Sequence, residues 1–270
     1  MNGIVCLAAV CALGLVAAGA AWGLPEVGRC VVQPGTGRYK DSNCTEKARA
    51  GQGQFEFKRN AVKRLFSASG GESDWETASG THLDCKAVSE TGEFLETGAT
   101  PSTKGVRHVM LSFTGCEVLA MESPCESPGA APGEIKMRPL TGPLGYVSGA
   151  KTPSPVVGVV LAPEQRKGLF AEFSCLGGAV RNTIRGTQGE VEGRKGGNCV
   201  IGSVAPANVM SAGFTESYAG KGGQQEPQHL EPATAKFCNL ETNANGGAYE
   251  QFRWSGTLTL AGEEALEIKA

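Results

Sequence analysis

Hydrophobic and polar residues alternate with a period of two along much of this chain, the pattern of strands with one buried face. The clearest stretch is 249–260. Phe252, Trp254, Gly256, Leu258 and Leu260 share one face, and Gln251, Arg253, Ser255, Thr257 and Thr259 share the other. Ala261-Gly262-Glu263-Glu264 reads as a turn, after which Leu266 and Ile268 alternate with Glu267 and Lys269. The C-terminus is therefore expected to be a hairpin with one wet face. Further strands are predicted at 81–88, 106–114, 134–137, 156–161, 169–175, 180–185, 209–218 and 235–241. The stretch 156–161 is apolar on both faces, as a central strand is. Turn formers separate these runs, among them Pro34-Gly35, Ser127-Pro128-Gly129 and Asn245-Gly246-Gly247. Many short strands between Gly and Pro turns predict an all-β fold, a two-sheet sandwich or a distorted barrel of short antiparallel strands. Residues 24–270 are expected to form one such domain, with a possible sub-boundary near 151–155. The polar segment 220–232 is expected to be an exposed, mobile loop.

One segment breaks the alternation. Residues 4–24 are almost unbroken Ala, Val, Leu, Gly and Cys, with small residues gathered at Ala17, Ala18, Gly19, Ala20 and Ala21. That is the form of an export signal, cleaved after Ala20 or Gly23, so that residues 1–23 are a signal peptide. Met1-Asn2-Gly3 lacks the usual positive charge, and a run of about 20 apolar residues can also span a bilayer if it stays uncleaved. The expected address is secreted, extracellular or cell envelope, with membrane contact only through that segment.

Eight cysteines lie beyond the run: Cys30, Cys44, Cys85, Cys116, Cys125, Cys175, Cys199 and Cys238. An even set with no C-x-x-C pair fits structural disulfides in an oxidising compartment. Cys30 and Cys44 would close a loop of about 15 residues, worth ~3 kcal/mol in the chain-entropy model. Cys116 and Cys125 bracket a short turn. Cys85 and Cys175 each share a face with apolar residues and suit a bridge through the core, which leaves Cys199 with Cys238.

Glycine at 39 residues, with 14 prolines, argues against long helices. A net charge of -2 with interspersed signs offers no basic stripe for nucleic acid. Asp41-Ser42-Asn43 is the nearest approach to a calcium loop and reads better as a solvated turn. No two of the three histidines have metal-ligand spacing, and neither a metal nor a cofactor is expected. Gly145 to Thr152 resembles a phosphate loop only loosely, with the wrong Gly-to-Lys spacing. No Gly-x-Ser-x-Gly occurs. His82 and Asp84 fall on one side of a predicted strand, opposite Cys85, and are the one suggestive pairing. His108, between apolar neighbours, reads as a packing residue. Trp75, Tyr39, Tyr146, Tyr218 and Tyr249 are candidates for sugar stacking, whereas Trp254 reads as core.

Several blocks resemble a group of secreted, cysteine-containing β-proteins of soil actinobacteria: Gly133-Glu134-Ile135, Gly142-Pro143-Leu144-Gly145-Tyr146, Phe113-Thr114-Gly115-Cys116, residues 169–175 and Leu266-Glu267-Ile268-Lys269. The resemblance implies export and a shared fold and brings no catalytic residue. With no catalytic constellation at recognisable spacing, the expectation is a secreted or envelope protein with a structural or binding role, an extracellular glycan being a possible partner. The alternative is a polysaccharide-acting hydrolase or carbohydrate-binding module. A deep cleft with two facing Glu and an aromatic floor would favour the hydrolase, and only shallow surfaces with filled cores the structural reading.

Overall fold

A computed structural model describes residues 23–59, 65–96, 103–150, 152, 154–165, 168–191, 193–231 and 236–270. Residues 4–22 of the apolar run lie outside them. Among the described residues every regular element is a strand, apart from one 3-10 turn at Leu119–Met121.

In chain order the strands are β1 (Glu26–Gly37), β2 (Gly53–Lys58), β3 (Leu65–Gly70), β4 (Ser73–Thr77), β5 (His82–Cys85), β6 (Ala87–Glu96) and β7 (Thr103–Thr114). There follow β8 (Glu117–Val118), β9 (Ser123–Glu126), β10 (Ile135–Lys136), β11 (Leu140–Ser148), β12 (Val156–Pro163), β13 (Ala171–Cys175), β14 (Val180–Gly186) and β15 (Glu190–Val191). The last are β16 (Arg194–Gly196), β17 (Val200–Ala205), β18 (Ser211–Lys221), β19 (Gln224–Glu226), β20 (Lys236–Phe237), β21 (Leu240–Ala244) and β22 (Glu250–Lys269).

Of the two expected architectures, the barrel forms. β3, β6, β7, β11, β12, β17, β18 and β22 pair in that order, all antiparallel, and β22 returns to β3. A second set also closes: β4, β5, β8, β9, β13, β14, β21 and β22, with β22 returning to β4. Closure leaves no unpaired edge in either ring. β22 is common to both, because its first residues pair in the second ring and those from Gly256 onward in the first. Both rings draw strands from either side of 151–155.

Each ring buries the apolar face of its alternation. Val109, Leu111, Leu140, Val157, Leu161 and Leu258 fill the first, and Ile184, Leu240 and Phe252 the second. Where the rings meet, Trp75 stands edge-on to Phe113, Phe173 and Phe252, and Tyr218 stacks on Trp254 with centroids 3.8 Å apart. Such pairs contribute about 0.5–1.5 kcal/mol each beyond their buried area. β12 sits between β11 and β17, and its outward Val160 and Ala162 pack on a small outer cluster of Cys199, Ile201, Leu230 and Cys238. That second contact explains the two apolar faces of 156–161.

Four expectations are corrected. The C-terminal hairpin is one continuous strand, Glu250–Lys269; between Gly213↔Ala261 and Ser211↔Leu266 the register shifts, so residues 262–265 form a bulge. Segment 220–232 is partly strand. Gln225 is fully buried, exchanging hydrogen bonds with the Trp254 backbone at 2.8 and 3.0 Å, and Leu230 is buried too. His108 is exposed: its φ of 50° marks an irregularity that sends the ring outward to Glu164 and lets Val106 and Val109 both face the core.

The fourth correction concerns two disulfides. Cys30–Cys44, the short loop, and Cys199–Cys238, the pair left over, are bridged as expected, but the other four cysteines join as Cys85–Cys116 and Cys125–Cys175. These four lie side by side across β5, the start of β8, β9 and β13. A bridge between the inner two would strand Cys85 and Cys175 three strand spacings apart, about 14 Å. That exceeds the ~7 Å Cα limit of a disulfide.

Candidate functional site

Four of the places where the chain passes from one ring to the other, β3–β4, β5–β6, β7–β8 and the middle of β22, surround a cleft of about 570 Å³. Glu72, Ser73, Asp74, Asp84, Lys86 and Glu117 line it. The strand period puts the acids there. Trp75, Leu83 and Cys85 point into the core, so Asp74, Glu76, His82 and Asp84 point out. Register then sets Asp74 opposite Asp84 and Glu76 opposite His82, while β22 brings Arg253 opposite Glu76.

Arg253, only 11 % exposed at its side chain, donates through Nε to Glu76 and through Nη2 to Asp74. His82 Nδ1 lies 3.0 Å from Asp74 Oδ1, and Nε2 lies 3.7 Å from Glu76. Partial burial works to raise Asp74, but the hydrogen bonds from His82 and Arg253 outweigh it and hold the carboxyl below its ordinary range. Asp84 goes the other way, raised by burial and then by the charge of Asp74, to which it is hydrogen-bonded. The two carboxyls thus differ: Asp74 stays ionised, and Asp84 is drawn toward keeping its proton. Among the described residues no ion pair reaches Glu72, Asp84 or Glu117.

The floor of the cleft is β22. Gly256 supplies no side chain there, and a Cβ would sit 3.0 Å from the Ser73 Cβ and 3.2 Å from Trp254 Nε1. Ser73 is 4 % exposed and its Oγ has no hydrogen-bond partner; the same is true of Trp254 Nε1. The cleft therefore combines an acidic wall with unspent neutral hydrogen-bonding groups beneath it.

Its carboxylates do not form a metal cage. Among the described residues the one group of three donors within 4.8 Å of one another is Cys30, Cys44 and Glu267, and both of those sulfurs are spent in a disulfide. Nor do Asp74 and Asp84 stand as a glycosidase pair, which needs about 5–10 Å for a sugar or water between the carboxyls. These two touch.

The sequence's one suggestive pairing, His82 with Asp84, is resolved here. Both belong to the cluster, yet His82 bonds Asp74 and Glu76. The alternation marks Arg253 only as a wet-face residue and gives no sign that Asp74 and Glu76 share it. The local signal is that acids flank Trp75 at the period that buries it. Of the aromatic candidates, Trp75, Tyr146 and Tyr218 are buried. Tyr39 is half-buried under Lys269, and Tyr249 carries Arg185 at 3.5 Å on its ring. The stretch 145–148 is the end of β11, not a phosphate cradle. Asp41 caps its own turn, accepting from the N–H groups of Asn43, Thr45 and Glu46. No protein-family model matches this chain, and no curated protein or solved structure matches it either.

Proposed function

We propose that this is an extracytoplasmic, non-catalytic binding protein whose seam cleft takes a cationic, hydroxyl-bearing ligand, the amino-sugar units of an extracellular glycan being the class that fits. The observation that carries the reading is the charge of the cleft: four carboxyls line it against one lysine, Lys86, and three of the carboxyls lack an ion pair among the described residues. An ammonium group relieves the repulsion that raises Asp84, and sugar hydroxyls suit the unspent Ser73 Oγ. Four disulfides support an oxidising compartment. Among the described residues no helix is long and apolar enough to cross a membrane.

Calorimetric titration with glucosamine oligomers and their N-acetylated counterparts tests this. The free amines are expected to bind, acetylation to weaken binding at least about tenfold by removing the charge, and Asp84→Asn to do the same. Equal affinity for both oligomers, or none for either, overturns the ligand class. New reducing ends during the titration overturn the non-catalytic reading.

A further inference from the structure

The lumen of the first ring holds a polar pair that the cleft does not use. Glu90 on β6 and Glu216 on β18 lie three strands apart around the ring, counted through β3 and β22, and their carboxyls meet in hydrogen-bond contact. Tyr218 donates its hydroxyl to Glu216 Oε1. Glu90 is 3 % exposed, and its Oε2 has no partner among the described residues. Phe66, Phe94, Leu144, Val159, Phe214 and Leu260 form the apolar wall around the pair. The lumen is not fully packed. It holds about 480 Å³ of space between atoms with its mouth included, of which about 50 Å³ can be reached by the centre of a water molecule.

A carboxyl in such surroundings is costly unless paired, and an apolar residue of similar volume would ordinarily serve stability better. Here two carboxyls face each other, one oxygen is left over, and the groups within reach are acids and a tyrosine. Burial first, and the nearness of Glu216, push Glu90 well above the ordinary carboxylate range.

We propose that this lumen is a binding site for a small primary alkylamine, its ammonium held between Glu90 and Glu216 and its alkyl chain laid along the apolar wall. An ammonium has three donors and no acceptor, which suits Glu90 Oε2 and the remaining Glu216 lone pairs. A metal ion would find too few ligands, since only two carboxyls converge and no third donor joins them among the described residues. An anion would meet two acids, and a pure hydrocarbon would leave Oε2 unsatisfied. Room for about three or four water-sized groups fits a head and a few carbons, and the mouth leaves space for the rest of a longer chain.

Calorimetric titration of the full chain with methyl-, propyl- and pentylammonium chloride, and with alcohols of equal length, tests the site. Saturable binding in the lumen is expected for the amines, about fourfold tighter per methylene until the space is filled. The alcohols should bind at least about tenfold more weakly, and Glu90→Gln should cost a similar factor. Asp84→Asn, which removes a carboxyl of the cleft, should leave the chain-length dependence of lumen binding in place, which separates the lumen from the cleft. Nuclear Overhauser contacts from the alkyl chain to the methyl groups of Leu144 and Val159 in the unaltered protein give a readout that does not depend on a variant folding. Absence of binding by every amine, equal binding of the alcohols, no contact to those methyls, or loss of binding in Asp84→Asn in place of Glu90→Gln overturns the proposal.

Discussion

Glu267 shows how far one residue can depart from its pattern. Alternation put it on the wet face of the last strand, yet it is completely buried, beside the Cys30–Cys44 disulfide and with Oε2 unpartnered. Its Oε1 accepts a long 3.4 Å contact from Lys269, whose ammonium also faces the Tyr39 ring. Desolvation raises its pKa from 4.5 to about 7, with Lys269 pulling weakly the other way. Because the folded state holds this proton more tightly than the unfolded chain, the contribution to stability is complete below pH 4.5 and is lost as pH rises through 7. Denaturant melts should therefore show a loss of about 3 kcal/mol across that window, and Glu267→Gln should remove that share. A melt of Glu267→Gln with the same slope as the parent would show that Glu267 is not the titrating group. Glu90 and Glu216 are further acids on inward positions. Each occupies an inward position, Glu90 between Val88 and Phe94 on one face and Glu216 between Phe214 and Tyr218. That parity was visible in the sequence; the partner of each carboxyl was not, because β6 and β18 are far apart in the chain.

Some strand positions were legible, since period two is a local property, but β1 to β4, most of β6, β11 and β17 lie outside the predicted runs. The predicted runs at 106–114, 156–161, 169–175 and 180–185 became β7, β12, β13 and β14 with shifts of a few residues. Strand pairing was not legible, and each element-level correction follows from it. The run 261–264 has the composition of a turn, but β18 lies alongside both of its flanks and holds the chain straight through a bulge. The cysteines of β5, β8, β9 and β13 bridge to their ladder neighbours, which only the sheet order defines. Close approach between strands also gives a test. A Cβ at Gly70 would lie 2.1 Å from the Thr257 carbonyl oxygen, so Gly70→Ala must push β3 away from β22. A cost of about 2–3 kcal/mol is expected from chemical denaturation, and a change below 0.5 kcal/mol would mean that this contact relaxes freely. Removing Cys85 and Cys116 together, as Ser, should cost about 3–4 kcal/mol by the chain-entropy account, read in the same assay.

For the whole molecule, β22 ties two closed rings into one cooperative body. The aromatic cluster at their junction takes Trp254 from the shared strand, Trp75 and Phe173 from the second ring and Phe113 and Tyr218 from strands of the first. Calorimetry should show a single unfolding transition, and Trp254→Ala should lower it as a unit by about 3–5 kcal/mol. Two separated transitions would show that the rings unfold independently. Tyr218 links the two sites as well, lining the seam cleft while donating to Glu216 in the lumen. By itself the sequence determined the class of the fold, the faces of many strands and the set of cysteines to be bridged, because alternation, turn residues and cysteine count act over short stretches of chain. Only the tertiary structure decided closure into two rings, the disulfide partners, the seam cleft and the meeting of Glu90 with Glu216. Each of these depends on which distant strands become neighbours, and period two fixes the face of a residue without fixing what lies across from it.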